Sequence, residues 1–349
     1  MKQRYLSLSI ILFTGFFAVS VGAYDPDKIH VKLTQDAIKK VLSCARFDSS
    51  WNDVSGIIEL SSGDCQSDMK NGNKDEDDIM RRSRQINWHF YDPNNKNEHA
   101  VLGVRKLVDF SWEVCSISGH SLCQLIKNLS DSDVSEVHLT PLRHMETLIR
   151  NLNAVDPKPM TERCQLLGAL LHYVEDMTVP AHVVPVFHPT SRPTLFKLFK
   201  DMRLYHKDPV DEWPLQDTGD VSPEDCERIA STVPTAVDNL FIIEEIFKET
   251  ARTTKGRLEE KICSGTQAKW RPRIYYNSGG EKVVPYHSYF GSYPKAVEFG
   301  DVSQFVCDDK SPWQAYNQFV AARHRQAVEA DMRAILAALR YFRTHQNKK

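Results

Sequence analysis

The chain has 349 residues, of which 41% are hydrophobic and 26% charged, so it is long and apolar enough to bury a substantial core. Its 44 basic and 46 acidic residues give a formal net charge of −2 at pH 7. This balance excludes the strongly basic composition typical of nucleic-acid binders, and we expect no nucleic-acid partner.

The N-terminus has the pattern of a secretory signal peptide. A basic start precedes an apolar run over 5–21, and small residues at 21–23 form a cleavage site. We therefore expect residues 1–23 to be removed, leaving a secreted or periplasmic protein that begins at Tyr24. An uncleaved membrane anchor is the alternative, and the shortness of the run argues against it.

All eight cysteines lie in the part of the chain that follows the predicted cleavage site. An even number in an oxidising compartment predicts disulfide bonds. No CxxC pair occurs, so a cysteine zinc site is disfavoured. Cys115 and Cys123 are close enough in sequence for a local loop, while the other pairings stay open.

Helical periodicity dominates the chain. Strand-like runs are few and short, so we predict an all-α fold, with residues 24–349 forming a single large helical domain. The polar stretches 63–78 and 277–283 predict loops. Apolar residues three and four apart predict helices over 29–42, 101–114, 144–152, 164–179, 234–247 and 313–342.

The segment around His172 and Asp176 is the most informative stretch. The two residues are four apart and therefore share one face of the predicted helix, with Gly168 a turn earlier leaving room for neighbouring backbone. We expect Pro180 to end this helix and to place His182 on the turn beyond it. Leucines cover most of the helix, which predicts burial, so the two polar groups need a partner such as a metal ion. A surface ion pair is the alternative.

Other segments supply further metal-type side chains. His30 shares a predicted helix face with apolar residues, and His89 lies between aromatic residues that would exclude water. His188 follows six residues after His182, and Asp211 lies in a later acidic segment. Taken singly, each is also explained as a packed core histidine, a turn residue or a helix cap.

Together these motifs resemble the zinc-dependent phospholipase C family, which includes alpha-toxin-type lipases and, more distantly, S1/P1 nucleases. The resemblance covers the chain to Trp213 and implies a helical domain of the phospholipase C/P1 nuclease type with three Zn²⁺ per chain. The motifs are 29–34, the acidic loop ending at Asp78, 87–93, His172-x3-Asp176-x3-Pro180-Ala181-His182-x5-His188, and 208–213.

The resemblance also implies the ligand sets, with Asp176 bridging two of the three zinc ions. They are His89, His172, Asp176 and Asp77 for the first zinc; His182, His188 and Asp211 for the second; and His30, Asp176 and the backbone amino nitrogen and carbonyl oxygen of Tyr24 for the third.

The sequence departs from the family pattern in two places. Tyr24 stands where relatives that use their N-terminus begin with Trp, and Asp211 fills a position that is more often Glu. Backbone ligands do not depend on the side chain, and the shorter acid still supplies a carboxylate. Asp78 stays open as the first-site carboxylate, as do His206 and His287 as substitutes for the last histidine of the motif.

The implied activity is phospholipase C. Metal-activated water would hydrolyse glycerophospholipids, with phosphatidylcholine types expected, to diacylglycerol and a phosphorylated head group. Asp77 would combine ligation with general-base catalysis, or another carboxylate of the acidic loop would act as the base. We expect a monomer that acts on a phospholipid membrane surface, and hypothesise that the alternating apolar and Lys residues of 195–200 touch it. An amphipathic core helix is the alternative for that segment.

Two other functions compete with this one. An S1/P1-type zinc nuclease or phosphatase would need base-stacking aromatics and a positive groove. That group's Asp-x-Gly-Gly-Asn stretch is absent, and 208–213 stands in its place. A non-enzymatic, metal-binding or toxin-like interaction protein is the third interpretation.

Overall fold

A computed structural model describes residues 29–51, 62–76, 89, 91, 93, 141–154, 158–183, 210, 213–258, 275–276, 282–283 and 312–346. Over these residues the fold is all-α, which confirms the predicted fold class. The helices are α1 (Val31–Phe47), a 3-10 turn (Ser49–Trp51), α2 (Gly63–Asp75), α3 (Pro141–Leu152), α4 (Met160–Asp176), α5 (Pro180–Val183), α6 (Pro223–Ser231), α7 (Ile242–Leu258) and α8 (Pro312–Gln346). A two-residue antiparallel pair joins β1 (Tyr275–Tyr276) to β2 (Lys282–Val283).

Helix α4 is buried almost throughout its last three turns, as its leucine-rich sequence predicts. Helix α2 packs so closely against α4 that the backbones of the two helices are in contact. A Cβ on Gly168 would lie 1.9 Å from the Met69 carbonyl oxygen, and one on Gly72 would lie 1.9 Å from the Gln165 carbonyl oxygen. The close approach predicted for Gly168 therefore exists, and α2 is the backbone that makes it.

The loop predicted over 63–78 is wrong for residues 63–75, which form α2. Ser62 caps this helix by accepting a hydrogen bond from the Cys65 backbone N–H at 3.2 Å. The helix is polar for its length, so it depends on tertiary contacts. Met69 is fully buried, and a disulfide bond joins Cys65 to Cys164 of α4.

Other predicted bounds shift by a few residues or more. Helix α7 begins at Ile242 instead of residue 234, because the preceding residues form turns that include a hydrogen bond from the Phe241 N–H to the Asn239 side chain. In the predicted 277–283 loop, Lys282 and Val283 pair with β1. The predicted helix over 101–114 lies outside the described residues.

Helix α4 ends at Asp176, four residues before the proline that was expected to end it. Thr178 closes the end by donating its hydroxyl hydrogen bond to the Glu175 carbonyl oxygen at 2.7 Å. Pro180 then begins α5, a position that proline tolerates because its missing N–H has no helical acceptor there. His182 consequently lies on a helical turn.

Two disulfide bonds are present among the described residues. Cys44 of α1 joins Cys226 of α6, and Cys65 joins Cys164. Such bonds form and persist in oxidising compartments. The predicted Cys115–Cys123 loop lies outside the described residues.

Over the described part of the chain, none of the helices is both long and apolar enough to cross a membrane.

Candidate metal centre

His30 occupies the N-cap position of α1 and is fully buried. Leu33, Ala37 and Val41 lie further along the same face and are also buried, as their spacing predicts. The helix thus directs the imidazole into the core beside α4.

Asp176, at the end of α4, is the centre of a buried cluster. Its Oδ1 lies 3.5 Å from His30 Nε2 and 3.9 Å from His182 Nδ1. Its Oδ2 lies 2.7 Å from His89 Nδ1 and 3.6 Å from His172 Nε2. Each carboxylate oxygen is therefore faced by two histidines, an arrangement suited to a bridging ligand.

The imidazole rings pack closely. His30 and His172 stack with their ring centroids 4.1 Å apart, and His89 meets His172 edge to face at 5.1 Å. The ring centroids of His89 and His182 are 6.2 Å apart. All four rings are inaccessible to solvent.

All four rings have a protein oxygen facing Nδ1; for His89 it is Asp176 Oδ2, and for the other three it lies outside Asp176. His30 donates to Glu175, and His182 donates to the His89 carbonyl oxygen. His172 Nδ1 lies 3.4 Å from the Asn73 side-chain oxygen. In the tautomer that makes these contacts, the Nε2 lone pair of each ring is available to a metal.

Glu175 is fixed by residues of two other helices. Thr34 of α1 donates its hydroxyl hydrogen bond to Glu175 Oε1 at 2.8 Å. The amide nitrogen of Asn73, from α2, donates to Glu175 Oε2 at 3.1 Å and to Thr34 Oγ1 at 2.8 Å. Asp331 of α8 is fully buried near this carboxylate. Burial, together with the charge of Glu175, raises the pKa of Asp331 well above its usual range.

Glu76, from the predicted acidic loop, lies near the cluster around Asp176. It is fully buried at the C-cap of α2. Tyr173 donates its hydroxyl hydrogen bond to Glu76 Oε2, and His144 Nε2 lies 3.0 Å from the same oxygen. Glu76 therefore contributes negative charge near Asp176.

Burial shifts the protonation of the cluster. It holds the pKa of His172 well below the usual histidine value, and the neighbouring imidazoles lower it further. Burial also raises the pKa of Asp176 well above its usual range; His30 opposes that rise, while Glu175 and Glu76 add to it. A neutral His172 beside buried acids belongs to a donor set whose charge a cation would balance.

The geometry fits a divalent metal. Bonds of 2.0–2.1 Å in a tetrahedral zinc site separate ligand atoms by about 3.3 Å. His172 Nε2 lies 3.2 Å from His89 Nδ1, and the 3.5 Å and 3.6 Å separations at Asp176 are close to the same value. The 2.7 Å between His89 Nδ1 and Asp176 Oδ2 is shorter and corresponds to a hydrogen bond. Asp176 Oδ1 is buried without a hydrogen-bond partner among the described residues. The group formed by His30, His172 and Asp176 could hold a metal ion.

The structure brings together five of the residues proposed as ligands: His30, His89, His172, Asp176 and His182. The others, with the alternatives weighed for them and the proposed membrane segment 195–200, lie outside the described residues. They are Tyr24, Asp77, Asp78, His188, His206, Asp211 and His287. Their roles, including general-base catalysis by Asp77, stay predictions.

Sequence reasoning missed the residues that support the ligands. Glu175 directly precedes Asp176 on a helix already predicted to be buried, so a second acid needing a partner was a usable signal. Asn73 had no such signal, because it belongs to the stretch predicted as a loop. Glu76 belongs to the predicted acidic loop, but the carboxylate ligand was predicted to be Asp77 or Asp78, the two residues after it.

Comparisons of the chain with protein-family models, with curated proteins and with solved structures give no match. The geometry of its own side chains is therefore the basis for assigning the centre.

Proposed function

We propose that the protein is a secreted zinc-dependent phospholipase C, which hydrolyses glycerophospholipids of the phosphatidylcholine type to diacylglycerol and a phosphorylated head group. The observation that carries this proposal is Asp176, whose two oxygens are each faced by two of four buried histidines. Such a bridging carboxylate supports a centre of more than one metal ion, the kind of centre that phosphodiester hydrolysis uses.

His89, His172 and Asp176 would hold one zinc ion, and His30 with Asp176 another. His182 would hold a third through its Nε2. Zinc, when bound there, lowers the pKa of water and offsets negative charge on a phosphate. The remaining ligands of this proposal are Tyr24, Asp77, His188 and Asp211.

The chain's own residues set up this chemistry in two ways. Glu175, Asn73 and the His89 carbonyl orient three imidazoles, so that little reorganisation is needed on binding a ligand. Full burial of the histidines excludes bulk water, which strengthens electrostatic interactions with an anionic phosphate. In this proposal Asp77 acts as the general base, and the enzyme works as a monomer at a membrane surface.

The test compares substrates with matched variants. Purified protein is incubated with phosphatidylcholine vesicles, with a soluble phosphodiester and with single-stranded DNA. Wild type should release diacylglycerol, and His172→Ala should lose this activity by more than about a hundredfold. His345→Ala, at the far end of α8, is the control and should retain it.

Two results would count against the proposal. Hydrolysis of DNA without hydrolysis of phospholipid would favour the S1/P1 type of nuclease. Zinc binding without activity on any of these substrates would favour a metal-binding protein that is not an enzyme.

A further inference from the structure

A groove separate from the metal centre lies between α7 and α8. Its volume is about 670 Å³, within the range of small-ligand sites. None of its lining residues belongs to the cluster around Asp176. The groove is therefore independent of the residues on which the proposed function depends.

The groove follows the helical repeat of both walls. Along α8 the lining residues recur every three or four positions, and along α7 they run from Glu249 to Arg257 in the same way. Ala322 and Ala330 lie one turn before and one turn after Gln326 on α8, and their short side chains leave the groove unfilled at these positions.

The groove carries an excess of positive charge. Four arginines and two glutamates line it, on a chain whose formal net charge is −2. Both glutamates bind arginines: Glu249 lies 2.7 Å from Arg333, and Glu329 lies 2.6 Å from Arg228. Arg228 does not line the groove, but its ion pair with Glu329 holds a fifth guanidinium group beside it.

The arginines differ in exposure. Arg323 is only 5% exposed, and its guanidinium carbon lies 5.4 Å from the centroid of the Phe319 ring, which restricts its position. Arg333 Nε is buried without a hydrogen-bond partner among the described residues. Arg257 and Arg325 are exposed at the rim. A ligand in the groove would thus meet fixed guanidinium groups inside and adaptable ones at the entrance.

The groove also has a polar side chain held in place. Gln326 donates a hydrogen bond to the Thr250 carbonyl oxygen at 3.0 Å and accepts one from Thr254 at 3.3 Å. These bonds cross from α8 to α7 and fix the separation of the two walls. The cationic side chains are therefore carried by a rigid frame.

We propose that this groove binds a phosphate-bearing anion. The planar guanidinium fork matches phosphate oxygens with two parallel hydrogen bonds, and arginine is favoured over lysine where such recognition occurs. The recognised group is either a free phosphate compound or a phospholipid head group, which share this chemistry.

The experiment measures binding to the purified protein. The probes are inorganic pyrophosphate, followed by calorimetry, and vesicles of phosphatidylcholine with or without phosphatidylglycerol, followed by co-sedimentation. The variants are Arg257→Gln combined with Arg325→Gln at the exposed rim, and Arg323→Gln inside. Arg252→Gln on α7, exposed and outside the lining, is the matched control.

The rim double variant should weaken binding of the effective probe about tenfold or more, since hydrogen bonds to charged groups are lost. Arg323→Gln should weaken it as well, and Arg252→Gln should leave it unchanged. Binding of pyrophosphate would assign the groove to free phosphate compounds, and binding of anionic vesicles alone would assign it to head groups.

Two outcomes would overturn the proposal: neither probe binds, or the probe binds wild type and groove variants equally. Phosphate bound at the metal centre would give the second outcome. The metal content of the rim variant is measured in parallel and should match that of wild type. The binding measurement therefore tests the groove independently of phospholipase activity.

Discussion

His30 and Glu175 are 145 residues apart in the chain, and their side chains form a buried hydrogen bond between the imidazole Nδ1 and the carboxylate. The bond joins the N-cap of α1 to the last turn of α4. It also directs His30 Nε2 toward Asp176 Oδ1. A carboxylate that orients a histidine in this way raises the basicity of the ring and fixes its tautomer.

Weakening this bond should weaken metal binding. Glu175→Gln keeps the shape but loses the charge, and we expect zinc affinity to fall by about 10- to 100-fold, the usual effect of losing such a partner. Competition with a chromogenic chelator measures the affinity. Glu162→Gln, on the exposed side of the same helix, is the control and should bind zinc as wild type does. Equal affinities for wild type and Glu175→Gln would contradict the orienting role.

The contact between α2 and α4 gives a second prediction. Gly168→Ala would place a methyl group 1.9 Å from the Met69 carbonyl oxygen, so the helices must separate. We expect a loss of about 1–3 kcal/mol in the free energy of unfolding, measured by urea denaturation. Gly256→Ala has open space around it and should stabilise by up to about 1 kcal/mol, because alanine favours helix. A neutral Gly168→Ala would show that the helices pack less closely than described.

The two disulfide bonds should differ in their effect on the metal centre. Each closes a long loop, of 182 residues for Cys44–Cys226 and 99 for Cys65–Cys164, and replacing either pair with Ser should cost about 3–5 kcal/mol. Only Cys65–Cys164 fastens α2, which carries Asn73, to α4. Its removal should therefore also lower zinc affinity, measured by the same chelator competition.

The Cys44–Cys226 variant is the matched control for that comparison. Cys44 lies near the end of α1, about 20 Å along the helix from His30. We expect it to lose stability while keeping its zinc affinity. Equal loss of zinc affinity in both variants would mean that the disulfide bonds act only through global stability.

His324 gives a pH dependence with a defined sign. Burial lowers its pKa from 6.5 to about 4, and its Nδ1 accepts a hydrogen bond from the Gln216 N–H at 3.0 Å. Between these pH values the unfolded chain binds more protons than the folded one. The contribution of His324 is therefore complete above pH 6.5 and falls by about 3 kcal/mol as the pH drops to about 4.

The measurement compares unfolding free energies at pH 7 and pH 4.5. His324→Gln keeps an acceptor for Gln216 but does not titrate, so it should lose less stability than wild type over this interval. His345→Gln, at a partly exposed position of the same helix, should follow wild type. An acid response of His324→Gln identical to that of wild type would contradict the buried neutral state.

The sequence predicted the parts of the centre that are local. The four-residue spacing of His172 and Asp176 places them on one face, and the leucines around them predict burial; both features are present. The small residue at Gly168 predicted a close backbone approach, and α2 makes it. Helical periodicity is a property of neighbouring residues, so it can be interpreted without knowing the fold.

The parts that were missed depend on distant residues. Residues 63–75 are polar and were predicted as a loop, but contacts with α4 stabilise them as helix. Asn73 could be placed beside Glu175 and His172 only once that helix was known. The partnership of Glu175 with His30 likewise follows from the packing of α1 on α4, which no local pattern encodes.

The central claim is that Asp176 bridges metal ions held by the buried histidines. Its most direct test is elemental analysis of purified wild type beside Asp176→Asn and the control Asp64→Asn, which changes a solvent-exposed acid in the first turn of α2. We predict more than one zinc per chain in wild type and in the control, and a loss of at least one zinc in Asp176→Asn. Wild-type protein without stoichiometric metal, or an unchanged zinc content in Asp176→Asn, would contradict the claim.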